Sequence, residues 1–340
     1  MSRSARVPAL QDKQPKKRRR FPWKPLVGVL VSVMLVGMLL GRVDLEALRA
    51  TFSRMKIGWF LAAVALFGAG VLATATRWYL ALGRGDTAAS FPATVRANYT
   101  GQFFNNILFG VSGGDVVKAT LYARWNGLDG ARVLASCIVD RVLGACGSAV
   151  FFLFALIVVL TSGASSMLQG MDMEASGFGP IAIGAATVVI VMIGVFYHFR
   201  ENAFLIKTLG SLKQNFVRFR DAPRLMAAAI GITVAWQTIL CAILALCLRA
   251  VVDEPLPWFT IAWVFPAISL ITAIPVTFAG AGVRETAALV FLGAYGVSEP
   301  EALAAGMLAS FIYIIWATVG GIIALMEESI SSRSRSTTTG

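Results

Sequence analysis

Apolar residues run along this chain in long stretches, at 25–41, 57–82, 131–162, 179–198, 225–250 and 299–326. A helix needs roughly 20 such residues to cross a hydrocarbon core, so the pattern predicts six full transmembrane helices. Two further stretches, 90–126 and 258–297, are apolar but broken. Arg96, Asn98, Gln102, Asn105 and Asn106 interrupt the first, then Gly110, Gly113, Gly114 and Asp115. Pro266, Pro275, Gly280, Gly282, Arg284 and Glu285 interrupt the second. Irregular backbone at membrane depth is tolerated only where protein or a wet cavity satisfies its polar groups. These stretches therefore read as re-entrant, broken-helix hairpins. Two shorter segments are amphipathic: Leu45, Leu48, Phe52 and Met55 share one helical face, as do Leu205, Leu209, Leu212 and Phe216. Both suit helices lying on a membrane surface.

The composition agrees, with 57% hydrophobic and only 14% charged residues, against about 45–50% and about 25% in a soluble domain. The fold class is an all-α polytopic membrane protein. The net charge of +12 is concentrated beside the spans, from Lys16 to Arg20 and from Arg200 to Arg224, where basic residues mark the cytoplasmic side and attract anionic lipid rather than nucleic acid. The loops at 163–178 and 252–257 are acidic. That pattern places both termini in the cytoplasm of a plasma (inner) membrane protein. The two hairpins then enter from opposite sides, as an inverted repeat would require. Residues 1–22 read as a disordered basic cytoplasmic tail, 23–327 as a single transmembrane domain and 328–340 as a second disordered tail. The run Pro25–Gly41 exceeds a usual signal-peptide core and no small-x-small cleavage site follows, so it reads as an uncleaved span.

The chemistry is narrow. Cys137, Cys146, Cys241 and Cys247 lie in apolar segments, and the single histidine, His198, ends a span. Neither metal-ligand spacing nor a Gly-Lys-Ser/Thr phosphate loop is present, so no cofactor, metal or catalytic residue is assigned and any drive comes from gradients, lipid supply or a partner. What stands out is charge inside spans: Arg77, Asp140, Arg141, Arg284 and Glu285. Each costs roughly 2.5–3.5 kcal/mol near a bilayer centre, so unpaired they would cost on the order of 12–17 kcal/mol together. They must pair, reach an interface or line a wet cavity. One reading is structural, with Asp140 or Glu285 neutralising an arginine. The other gives spare guanidinium groups to an anionic headgroup. Gly113-Gly114-Asp115 and Gly280-Ala281-Gly282 sit where broken helices restart, presenting N–H groups and a positive dipole end. Mirrored broken segments point to a midplane site.

Asn105-Asn106, Gly113-Gly114-Asp115, Asp140-Arg141 and Pro275 through Glu285 (PVTFAGAGVRE) resemble the flippase-like family, the membrane region of lysylphosphatidylglycerol synthase and its free-standing relatives, over residues 25–326. The resemblance implies a polytopic fold that moves phospholipids or other polar-headed lipids between leaflets. It places Arg77, Asp115, Arg141, Arg284 and Glu285 on the family's polar positions. Phe109-Gly110 stands where proline-glycine is expected. No soluble aminoacyl-transferring domain follows residue 326, so the chain is expected not to make lysyl-lipid itself. The candidate headgroup-binding set is Arg77, Asn105, Asn106, Gly113, Gly114, Asp115, Lys118, Asp140, Arg141, Pro275, Gly280, Gly282, Arg284 and Glu285. The expected function is a lipid carrier without its own ATPase. A membrane-embedded transferase acting on a lipid-linked sugar or headgroup, and an envelope-biosynthesis scaffold, are the alternatives. The expected partners are anionic or polar-headed membrane lipids and a lipid-modifying enzyme, not nucleic acid.

Overall fold

A computed structural model describes residues 44–83, 90–107, 113–161, 219–254, 256–272 and 282–338, with a few isolated positions between them. Every element among them is a helix: α1 (Leu45–Ser53), α2 (Ile57–Leu82), α3 (Phe91–Ile107), α4 (Gly113–Asn126), α5 (Gly130–Thr161), α6 (Pro223–Val251), α7 (Trp258–Thr272), α8 (Val283–Gly293) and α9 (Glu299–Thr338). Four of these are long and apolar enough to cross a membrane: α2, α5, α6 and α9. They match four of the six expected spans. Nearly all of the other two, 25–41 and 179–198, lies outside the described residues, as do the tail 1–22, residues 108–112, most of residues 199–218 of the basic segment 199–224, Pro275 and Gly280.

Both expected breaks are present. α3 and α4 are separate short helices, as are α7 and α8, so the order long, short, short, long occurs twice along the chain. The position of one expected interruption differs. Pro266 lies inside α7, which continues through it to Thr272. A proline removes one helical hydrogen bond, and in a membrane protein the surrounding helices satisfy what it frees. At the other end α9 continues as helix past residue 327 to Thr338, beyond the expected boundary of the membrane domain.

α1 begins at Asp44, whose carboxylate accepts from the N–H groups of Glu46 (2.8 Å) and Ala47 (3.2 Å), satisfying donors a helix start leaves free. Leu48 is buried against Leu303 and Ala304 of α9, so the amphipathic face packs on protein. The Lys56 N–H donates to the Ala250 carbonyl at the end of α6 (2.9 Å), and the Lys56 ammonium meets Asp253 at 3.0 Å.

The core lies along α2, which packs on α6 and is flanked by α5, α3 and α9. Small residues set the spacing. Gly320 of α9 sits directly on the Tyr99 carbonyl of α3, and Gly68 of α2 lies under the Trp316 indole. That indole donates to the Val64 carbonyl (2.8 Å), and the Tyr99 hydroxyl donates to the Gly68 carbonyl (2.8 Å). The two rings stack at 5.3 Å. Glu327 and Glu328 of α9 then pair with Arg96 of α3 and Arg124 of α4. Gly320→Ala would place a methyl carbon 2.0 Å from the Tyr99 oxygen. Overpacking of this kind costs about 1–3 kcal/mol or more, so this variant is expected to melt several degrees lower in detergent, while Gly231→Ala, with open space around it, leaves the melting temperature unchanged.

Candidate functional site

The charged residues singled out from the sequence separate into two centres. The first joins α2, α4, α5 and α6. Arg77 of α2 and Asp140 of α5 form a two-point ion pair, with Nε to Oδ1 at 2.7 Å and Nη2 to Oδ2 at 3.2 Å. The remaining Arg77 nitrogen, Nη1, donates to the Thr233 hydroxyl of α6 at 2.9 Å. Both ion-pair side chains are 9% exposed. Gly144 of α5 gives the guanidinium its place, since a Cβ there would lie 2.9 Å from Nη1.

One turn away, Asp115 is shared by two cations. Arg141 Nε donates to Oδ2 at 2.5 Å, and the Lys118 ammonium stands 3.6 Å from Oδ1. Lys118 is buried. It lies 3.5 Å from the Asn98 side-chain oxygen Oδ1 and 4.1 Å from the centre of the Trp78 ring, a cation–π contact. Trp78 in turn donates to Ser136 (3.1 Å). Asp115 is in the first turn of α4, where a carboxylate is favoured by the helix dipole. Gly114 lies against Asn105 at the end of α3, whose buried Oδ1 has no hydrogen-bond partner among the described residues. Asn106 donates to the Gln102 carbonyl of its own helix (2.9 Å).

The second centre is at the start of α8, packed against α9. Gly282, at φ 85°, caps α8, a left-handed conformation that glycine adopts without steric cost. The Glu285 carboxylate accepts from the Gly282 N–H (2.7 Å) and from the Ser310 hydroxyl of α9 (2.6 Å). Arg284 donates to the same Ser310 oxygen (3.0 Å), and its guanidinium stacks 4.5 Å from the Tyr313 ring centre. Among the described residues no carboxylate oxygen lies within 4 Å of Arg284. Arg284 edges a cavity of about 60 Å³ that is otherwise mainly apolar, bounded by Phe67, Leu240, Ile243, Phe265 and Tyr313. Gly306 keeps α9 close, 3.3 Å from the Ala288 methyl as a Cβ would see it. Asp115, Lys118 and Arg141 do not line this cavity.

This constellation of a polar, broken-helix interior inside apolar spans decides the affiliation. Residues 26–321 match the family described as the lysylphosphatidylglycerol synthase TM region. The chain belongs to that family. It is also similar to a UPF0104 membrane protein of Pyrococcus horikoshii, 27% identical over 191 residues, covering 55% of this chain and 50% of that protein. A UPF0104 membrane protein of Methanothermobacter thermautotrophicus is 33% identical over 149 residues, covering 43% and 39%. The chain thus matches half or less of the length of either relative. Membership, with the long apolar helices, marks a multi-pass membrane protein and is compatible with a lipid-related role.

Within the family frame, the sequence pointed to Arg77, Asp115, Lys118, Asp140, Arg141, Arg284 and Glu285, and these do cluster, but in two places. Sequence reasoning read Asn98 only as a polar interruption of the first hairpin, and it missed Thr233, Trp78 and Tyr313. Each is an ordinary residue in a span and becomes a partner only when helices pack. Ser310 was legible as a small contact position; its bridging of Arg284 and Glu285 was not. Breaking a buried ion pair by removing one partner costs about 3–5 kcal/mol. Asp140→Asn, which leaves Arg77 without its carboxylate, is therefore expected to lower thermal stability in detergent well below that of an exposed-pair variant such as Asp221→Asn.

Proposed function

We propose that the chain is a carrier of anionic, phosphate-bearing membrane lipid, gripping the headgroup through Arg284. The observation that carries this reading is a half-buried guanidinium at the rim of an apolar cavity, with no carboxylate oxygen within 4 Å among the described residues. A planar guanidinium matches two oxygens of a phosphodiester, and the stacking on Tyr313 holds its plane fixed. Glu285 reaches Arg284 only through the shared Ser310 hydroxyl, its oxygens bonding the Gly282 N–H and Ser310, so it does not occupy the guanidinium fork directly. Instead it anchors Ser310, which orients Arg284. A cavity of about 60 Å³ admits a headgroup fragment and not acyl chains, which would lie along the apolar outer faces of the spans. Basic residues flanking the spans orient both termini to the cytoplasm, and with no phosphate loop in the sequence the carrier runs on gradients, lipid supply or a partner.

Charge-assisted hydrogen bonds are worth about 1.5–3 kcal/mol each, so loss of the guanidinium is expected to weaken lipid retention by about tenfold or more. Arg284→Gln, purified beside the wild-type chain, would show this as loss of co-purifying anionic phospholipid in native mass spectrometry and as slowed leaflet exchange of a fluorescent anionic lipid in vesicles. Equal retention and equal exchange by both proteins would refute the reading.

A further inference from the structure

The two charged centres occupy equivalent positions in two copies of one structural unit, α2–α5 and α6–α9. Helices of the first unit begin at 57, 91, 113 and 130, those of the second at 223, 258, 283 and 299. The packing pairs exchange as well. α3 on α9 corresponds to α7 on α5, α2 on α5 to α6 on α9, and α5 on α6 to α9 on α2, with α2 on α6 relating the copies to each other.

The agreement extends to single atoms. The turn from α4 to α5 holds Gly127 at φ 65° and the turn from α8 to α9 holds Gly296 at φ 81°. In the first, the Leu128 N–H bonds the Ala123 carbonyl; in the second, Val297 bonds Leu292 in the same register. Asp129 and Ser298 then cap the following helices, their carbonyls taken by Val133 and Ala302. Burial follows: Ala63, Ala75, Ala81 and Leu82 of α2 are buried, and so are Ala229, Cys241, Cys247 and Leu248 at the matching positions of α6.

Carried across this register, the Arg284 cavity falls on the first centre. Ile243 corresponds to Arg77, Leu244 to Trp78, Ile268 to Gly101, Arg284 to Asp115, Ala309 to Asp140 and Tyr313 to Gly144. Even the contact is kept, since Asp115 bonds Arg141 where Arg284 bonds Ser310. The volume is not. In the first unit Gly101 and Gly144 vacate room that the Lys118 stem and the Arg77 guanidinium fill, each 2.9 Å from where a Cβ would sit. The equivalent turns also differ in charge: Arg124 and Arg132 flank the first, Glu299 and Glu301 the second, with no lysine or arginine between Arg284 and Arg333. Basic flanks mark the cytoplasmic side, so the turns belong on opposite faces.

We infer that the chain is an inverted repeat with unequal halves: the second unit holds the ligand, and the first is a fixed post whose equivalent pocket is filled by the chain's own ion pairs. The ligand clause rests on the reading of Arg284 given above; the inversion and the filled pocket do not. The arrangement assigns one headgroup per chain and makes Arg77, Lys118 and Asp140 positioning residues that hold α2 and α5 against α6.

Three measurements on the full chain test this. With Cys146→Ser as background, Asp129→Cys and Ser298→Cys are expected to react with a membrane-impermeant maleimide from opposite faces of sealed vesicles; labelling from the same face overturns the inversion. Arg77→Ile with Asp140→Ala copies the second unit's residues into the first. This double variant is expected to keep wild-type lipid retention, whereas Arg284→Gln loses about tenfold. A folded double variant that loses lipid as Arg284→Gln does overturns the post. Should it fail to accumulate, Lys118→Met takes its place with the same two outcomes. If the wild-type chain itself retains no lipid, the carrier reading fails alone. The post is then judged by Arg77→Gln, expected to lower the melting temperature where Arg284→Gln does not; equal melting temperatures overturn it.

Discussion

Charge inside hydrocarbon must be neutralised by something that folds with it, and the Arg77–Asp140 pair is where this chain meets that demand. A carboxylate from α5 takes two guanidinium nitrogens of α2, and Thr233 of α6 takes the third. Leaving either charge alone would cost several kcal/mol, so three spans are obliged to converge at one depth. The packing of α3, α4 and α9 around that junction follows, because Lys118 and Trp78 bring α4 and α3 onto the same spot.

Direct ion pairing sets the two centres apart. Arg77 and Arg141 each contact a carboxylate, Asp140 and Asp115, and Lys118 stands beside Asp115. Arg284 instead contacts Ser310 and Tyr313, which orient it, and among the described residues no carboxylate oxygen lies within 4 Å of it. Glu285 is near enough in sequence to serve, yet its oxygens are committed to the helix start and to Ser310. A guanidinium that is held in place without direct carboxylate contact is suited to a ligand that brings its own charge.

The spans and breaks were legible because they depend on composition over many residues. Apolar runs of sufficient length located α2, α5 and α6 to within two residues at each end and the start of α9, and polar interruptions located both short-helix pairs. Pro266 misled because its lost hydrogen bond is a local matter that neighbouring helices settle. Within the site, charged residues betrayed themselves by their cost, while Thr233, Trp78 and Tyr313 could not, since nothing in a span's sequence says which face meets which neighbour. The division into two centres was illegible for the same reason. Asp115 and Arg284 each open a short helix after a break, yet one meets Arg141 of α5 and the other Ser310 of α9.

Seam geometry shows how such a division is maintained. Glycines at Gly68, Gly320 and Gly144 each lie under one specific group, an indole, a carbonyl and a guanidinium. They fix helix separation by contact and not by attraction, which suits a solvent where lipid tails compete equally for apolar surfaces.

α9 spans 40 residues without a described break. At about 1.5 Å per residue that is a rod of roughly 60 Å, about twice the thickness of a hydrocarbon core. It touches Glu285 and Arg284 near one end and is clasped by Arg96 and Arg124 further along. Such a member behaves as a tiller: a sideways push where it leaves the bilayer becomes a small rotation about the clasp and a displacement of Ser310 beneath the guanidinium.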